Sequence, residues 1–217
     1  MVIVLTSEKT TSNCYLIEQD GRVIIIDPND FKRISLLLES ENWIPDQIIL
    51  THEHFDHIEG LEDTRTTYKL PVLASSVCSK NIQDANMNLS IIYYMFCYFR
   101  TGKITNERTE PFACRAADIT FDQEYDFSWQ GHDFYLRLCP GHSKGSALIC
   151  MDDSVIFSGD YLVEGEMTNF QLKGGDIEEY KKYSAAWIRS IPIGTTVYPG
   201  HGITYTLTGI ERKDALL

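Results

Sequence analysis

Short apolar runs open the chain. Val2–Leu5, Cys14–Glu18 and Val23–Asp27 are apolar or β-branched stretches, and Asp20–Gly21 between the second and third is a turn signal that predicts a hairpin. From Phe31 to Ser40 the period changes: Phe31, Ile34, Leu37 and Leu38 recur at helical spacing until Trp43-Ile44-Pro45 breaks it. Gln47–Thr51 then reads as a buried strand, residues from His57 to about Tyr68 as a helix, and Pro71–Ala74 as another strand. A second strand-rich block lies between Ile119 and Ser158. Within it Tyr125–Trp129, Asp133–Cys139, Ala147–Met151 and Ser154–Ser158 are separated by Gly or Asp-Asp turn signals. Asp176–Ser190 reads as an amphipathic helix and Thr196–Tyr198 as the last strand. An order of strands, helices, strands, helices predicts an α/β (α+β) fold, and two mixed sheets face to face with helices outside would bury it economically.

The whole chain, residues 1–217, is of a length that suits one domain, and neither a repeat nor a Pro/Gly/Ser-rich linker divides it. Hydrophobic residues at 43% and charged residues at 23% are globular values. The net charge of −12 would repel a phosphate backbone, so nucleic acid is not an expected partner. No apolar run approaches the roughly twenty residues that span a bilayer; Ser90–Phe99 is short and closes at Arg100. Met1–Leu5 lacks the basic start and length of a signal peptide. The six cysteines, Cys14, Cys78, Cys97, Cys114, Cys139 and Cys150, form no C-x-x-C pair and read as reduced, mostly buried thiols. A cytoplasmic protein acting on a small molecule, away from membranes, is the expectation.

Five of the six histidines stand where a predicted strand has just ended. His52, His54, Asp56 and His57 crowd directly after the apolar run Gln47–Leu50. A divalent ion needs neutral imidazoles and carboxylates converging from several directions, and the i, i+2 spacing of His52 and His54 on an irregular loop lets both face one ion. Asp56 and His57 can face another. As core residues alone they would leave polar atoms needing partners. Cys139-Pro140-Gly141-His142, Ser158-Gly159-Asp160 and Pro199-Gly200-His201-Gly202 repeat the theme, each with a glycine that lets the backbone turn sharply beside a ligand-type side chain.

These residues resemble the metallo-β-lactamase superfamily, whose pattern is H-x-H-x-D-H, then a distant His, an Asp and a final His. The likeness runs from Ser12–Ile17 and Ile26-Asp27-Pro28 to Pro199-Gly200-His201-Gly202. It implies a four-layer αββα sandwich with metals at one edge between the sheets. By position, it implies His52, His54 and His142 on one metal and Asp56, His57 and His201 on the second, with Asp160 bridging. The implied cofactors are two divalent metal ions, zinc first, with iron or manganese accepted by the same donors. True β-lactamases of the superfamily lack an aspartate at the Asp160 position, whereas glyoxalase II-like hydrolases, lactonases and RNA-processing members have it. Flavin-linked di-iron members replace the second histidine, here His54, by glutamate.

The stretch from Ser158 to His201, with Asn169-Phe170 and Lys173–Asp176, looks most like small glyoxalase II-like proteins. The resemblance therefore implies a metal-dependent hydrolase that uses a metal-bridging hydroxide on a thioester or other activated acyl substrate, with Asp56 as ligand and orienting catalytic residue. A phosphodiesterase or nuclease, a lactonase and a non-catalytic metal-binding module are the alternatives. The chain closes at Leu217 without the helical region that holds glutathione in full-length glyoxalase II, so a glutathione carrier is not implied.

Outside the pattern, His132 reads as a surface residue at a hairpin turn. Lys144 reads as an exposed loop lysine, Tyr161 as a packed tyrosine. Ser90–Arg100 is open to two readings. It either lines a substrate pocket or forms a helix that packs Ile91, Met95 and Tyr98 against the body or a sister subunit of a homodimer.

Overall fold

Strand β3, Arg22–Ile26, shows why the strands read as continuous apolar runs. Successive side chains point to opposite faces, and both faces are covered. Val23 and Ile25 join one buried cluster with helix residues such as Ile34 and Leu61; Ile24 and Ile26 join another with Phe134, Ile149 and Phe157 of the opposite sheet. Each such aliphatic side chain contributes about 1.5–3 kcal/mol by leaving water.

The computed structural model describes residues 1–103 and 110–208. The sequence reading of the C-terminus falls on residues 209–217, outside those described. The first sheet has the order β1-β2-β3-β4-β5-β6. Its strands are β1 Val2–Thr6, β2 Asn13–Gln19, β3, β4 Ile44–Ile49, β5 Val72–Ser75 and β6 Ile119–Phe121. β1 to β3 pair antiparallel and β3 to β6 parallel. The second sheet has the order β12-β11-β10-β9-β8-β7. It contains β7 Glu124–Trp129, β8 His132–Leu138, β9 Ala147–Met151, β10 Val155–Gly159, β11 Thr196–Pro199 and β12 Tyr205–Thr206, with β10 and β11 parallel. The sheets share one core. Helices α1 Phe31–Glu41, α3 Leu61–Tyr68 and α4 Ser76–Asn81 cover the outer face of the first. The run α6 Ile177–Glu179, a π turn at Tyr180–Ser184 and α7 Ala185–Ser190 covers the second. This is the expected four-layer arrangement.

Three local expectations need correction. β4 begins at Ile44 and includes Pro45, because a bulge at Asp46 lets the register pass from Val23↔Pro45 to Ile24↔Gln47. Asp46 is held there by the Arg22 guanidinium and by Trp129 Nε1 at 2.9 Å. The helix expected from His57 to Tyr68 is two pieces, α2 Phe55–Ile58 and α3, divided at Gly60. Gly60 N donates to Pro28 O at 2.8 Å and Ser12 Oγ takes the Asp56 carbonyl, so the helical ladder is interrupted, and a Cβ on Gly60 would lie 2.6 Å from Phe31 N and 3.0 Å from Pro28 O. Gly60→Ala is expected to destabilise the fold by about 1–3 kcal/mol through this overpacking, read as a lowered thermal midpoint.

The third correction concerns Ser90–Arg100. A 3₁₀ turn at Ser90–Ile92 leads into α5, Tyr93–Thr101, but the face packed on the body is Tyr93 and Cys97, against Phe55. Ile91, Met95 and Tyr98 are half exposed, so this stripe does not pack on the body, whereas Met95 lines a cavity as the pocket reading expected. Helical spacing identified an amphipathic helix; Phe55 decides which stripe turns inward. His132 stands at the β7–β8 hairpin as expected, its Nδ1 2.5 Å from Asp152 Oδ2. Tyr161 is packed, and the six cysteines are free thiols, five of them buried. Among the described residues no helix is long and apolar enough to cross a membrane.

Candidate metal centre

Five segments deliver ligand-type side chains to one edge of the sandwich, each just beyond a strand end. The β4 end supplies Thr51, His52 and His54, and α2 supplies Asp56 and His57. The loop after β8 supplies His142, β10 leads to Asp160, and β11 leads to His201. Strand ends β10 and β11 are tied by Gly200 N donating to Gly159 O at 2.7 Å. A Cβ at Gly200 would sit 2.3 Å from Asp160 Oδ1 and 2.9 Å from His57 Cε1, so only glycine permits this approach.

All seven side chains named from the sequence meet. His52, His54 and His142 form one group whose ligand atoms lie within 4.8 Å of one another, and Asp56, His57 and His201 form another. His142 Nε2 is 3.0 Å from His54 Nδ1, and His201 Nε2 is 3.2 Å from Asp56 Oδ2. Asp160 lies between the groups. Its Oδ2 is 3.4 Å from His142 Nε2, and its Oδ1 is 3.3 Å from His57 Nε2 and 3.7 Å from His201 Nε2.

Hydrogen bonds around the rim assign the ring nitrogens. His57 Nδ1 faces Asp27 Oδ2 at 3.1 Å and His142 Nδ1 faces Asn169 O at 2.9 Å, so both carry the proton on Nδ1. Thr51 Oγ1 donates to Asp27 Oδ2 and therefore accepts from His52 Nδ1 at 3.0 Å. Each ring then turns Nε2 inward. His52, His57 and His201 Nε2, Asp56 Oδ2 and Asp160 Oδ1 are all buried without a hydrogen-bond partner, while His54 turns its Nδ1 toward His142 Nε2. Buried polar atoms are rarely left so, and a divalent cation is the partner this donor set fits.

Burial pushes the imidazoles of His52 and His142 down and takes His54 to about 3, which keeps them in the neutral form a metal requires. At the other end burial opposes the charge on His57, but Asp56, Asp160 and Asp27 outweigh it and raise the ring well above its usual value. Burial likewise works against the Asp160 carboxylate, and His201, His142 and His57 prevail, holding it well below the usual range.

Several residues that support the ligands had no role from sequence. Asp27 also groups with His52 and His57, but its carboxylate already accepts from Thr51 N at 2.8 Å, Thr51 Oγ1 at 2.6 Å and His57 Nδ1, so it positions the rings. The signal available was an aspartate closing an apolar strand. Glu53 is buried and accepts from Asn81 Nδ2 at 2.7 Å and Ser143 Oγ at 2.8 Å, joining the histidine loop to the β8–β9 loop. Tyr161 Oη accepts from His142 N at 2.8 Å and donates to Cys139 O at 2.9 Å. Thr11 Oγ1 lies 3.2 Å from His201 Nδ1.

The sequence model of the Metallo-beta-lactamase superfamily matches residues 8–201, which include every one of these side chains. The chain belongs to the metallo-beta-lactamase superfamily. Within it, the chain is 26% identical over 193 residues to the probable metallo-hydrolase YqgX of Bacillus subtilis, covering 88% of this chain and 85% of that protein. It is 26% identical over 203 residues to a hydroxyacylglutathione hydrolase of Klebsiella pneumoniae, covering 93% of this chain but 65% of the relative. The crystal structure of the BLEG-1 B3 metallo-beta-lactamase superposes with a TM-score of 0.79 at 28% identity, over 95% of this chain and 94% of that one. Membership makes the chain a superfamily metallo-hydrolase and accounts for the buried His/Asp cluster at the sheet edge.

Proposed function

We propose that the protein is a dinuclear metal-dependent hydrolase of a thioester or another activated acyl compound, with chemistry like that of the hydroxyacylglutathione hydrolase it resembles. The observation that carries this reading is Asp160, a single carboxylate that turns one oxygen toward His142 and the other toward His57 and His201. His52, His54 and His142 would hold one cation and Asp56, His57 and His201 the second, with Asp160 serving both. Zinc is the first choice and iron or manganese the alternatives. Two such ions, when bound, make water nucleophilic near neutral pH and polarise an acyl oxygen. The chain's own groups do the rest. Asp27 and Asn169 O hold two imidazoles in the required tautomer. Asp56, besides holding the second cation, would orient the attacking water through its buried carboxylate. The net charge of −12 supports a small molecule over a polyanion.

A second reading, hydrolysis of a β-lactam amide, is supported by the full-length likeness to BLEG-1. Elemental analysis beside a hydrolase panel separates the two. The expected result is about two equivalents of divalent metal, thioester cleavage that chelation abolishes, and restoration when metal returns. Cleavage of nitrocefin without thioester or ester cleavage would put the second reading first. Bound metal without turnover of any ester, thioester, lactone, phosphodiester or β-lactam would overturn both in favour of a metal-binding module.

A further inference from the structure

Helix α5 and the segment after Asp160 enclose a cavity of about 840 Å³ that opens onto the metal cluster, with His142 and Asp160 in its wall. That volume lies in the range of sites for drug-sized ligands. Away from the cluster most of the wall is apolar, with Ile92, Met95, Phe96 and Phe99 from the helix and Phe170 and Leu172 from the later segment, and the neutral polar residues Thr168, Asn169 and Gln171 complete it. Arg100 supplies the one lysine or arginine side chain in the lining among the described residues. Its guanidinium Nη1 donates to both carboxylate oxygens of Glu166, at 3.0 and 2.9 Å, and the group also lies 5.7 Å from the Phe96 ring centre. Glu166 lines the same cavity. The charge of Arg100 is thus matched at the rim of the cavity, where Glu166 is half exposed. A carboxylate-bearing substrate would have to displace Glu166 and lie among acidic neighbours, whereas an alkyl or aryl chain meets surfaces that gain from leaving water.

We infer that this cavity takes an uncharged, apolar acyl group of medium length, and that the Arg100–Glu166 pair is the element that rejects acyl groups ending in a carboxylate. The inference rests on the hydrolase reading and names its substrate class. Each methylene buried should raise kcat/KM roughly two- to fourfold until the cavity is filled. Glu166→Gln leaves the Arg100 cation without its anionic partner and so should admit a terminal carboxylate.

The test uses metal-loaded full-length protein and N-acetylcysteamine thioesters carrying acetyl, butyryl, valeryl, hexanoyl and glutaryl groups. Rates should climb from acetyl to hexanoyl, and glutaryl should fall at least tenfold below valeryl. Glu166→Gln should raise the glutaryl-to-valeryl ratio about tenfold. Calorimetry with unreactive hexyl and ethyl thioethers supplies a readout independent of turnover, the hexyl compound binding more tightly. Turnover without chain-length preference, or a glutaryl-to-valeryl ratio unmoved in Glu166→Gln, would overturn the inference while leaving the hydrolase reading intact. Tighter binding of the hexyl thioether without turnover of any thioester would remove thioesters from the proposed function and still support the apolar pocket.

Discussion

Asp160→Ala is expected to lower kcat/KM about a thousandfold, or roughly 4 kcal/mol, and to reduce bound metal from about two equivalents toward one. Asp160 lies between the two triads, with separations of 3.3 and 3.4 Å to His57 of one and His142 of the other. Among the described residues Asp56 and Asp160 are the carboxylates that face the cluster histidines once Asp27 is engaged at the rim, so removing Asp160 takes away half of that negative charge. Alanine creates no overpacking, since it is smaller and Asp160 is the least enclosed of the seven, with 13% of its side chain exposed. Steady-state kinetics with elemental analysis on the same sample checks the prediction. A variant that keeps its rate and both metals would remove Asp160 from the centre.

Asp27→Ala should damage both fold and site. The carboxylate is 2% exposed and accepts from Thr51 N, Thr51 Oγ1 and His57 Nδ1. Stranding these buried donors costs about 1–3 kcal/mol for each that finds no other partner, and the thermal midpoint should fall by roughly 2–4 °C for each kcal/mol lost. Alanine also tolerates the local φ of 53° less well than aspartate. Metal affinity should fall about 10- to 100-fold, because His57 loses the acceptor that sets its tautomer. Asp27→Asn separates the effects. Its amide oxygen in the Oδ1 place can still accept from Thr51 N, while an NH₂ in the Oδ2 place accepts from neither Thr51 Oγ1 nor His57 Nδ1, so calorimetric metal titration should show most of the affinity loss with a smaller change in midpoint. Equal metal affinity in Asp27→Asn and the parent protein would assign Asp27 to stability alone.

How much was legible depended on range along the chain. His52, His54, Asp56 and His57 lie within six residues, and the glycine-flanked His142, Asp160 and His201 each follow an apolar run, so local pattern sufficed. Asp27 was quoted with the strand it ends, yet its role depends on the pairing Ile26↔Ile49, which sets that carboxylate beside Thr51. Asn169 was likewise in view, but its backbone oxygen reaches His142 across a separation of 27 residues.

Sequence by itself determined the alternation of sheets and helices, the chemistry of the ligand set and its place at strand ends, because periodicity and donor type are properties of neighbours in the chain. Tertiary structure alone decided that α2 and α3 part at Gly60, where the backbone of Pro28–Phe31 leaves no room for a side chain. It decided which stripe of α5 faces inward, since Phe55 packs against Tyr93 and leaves Met95 and Phe99 to line a cavity beside His142. It also decided that Arg100 meets Glu166 across that cavity, 66 residues apart, a contact that no local spacing encodes.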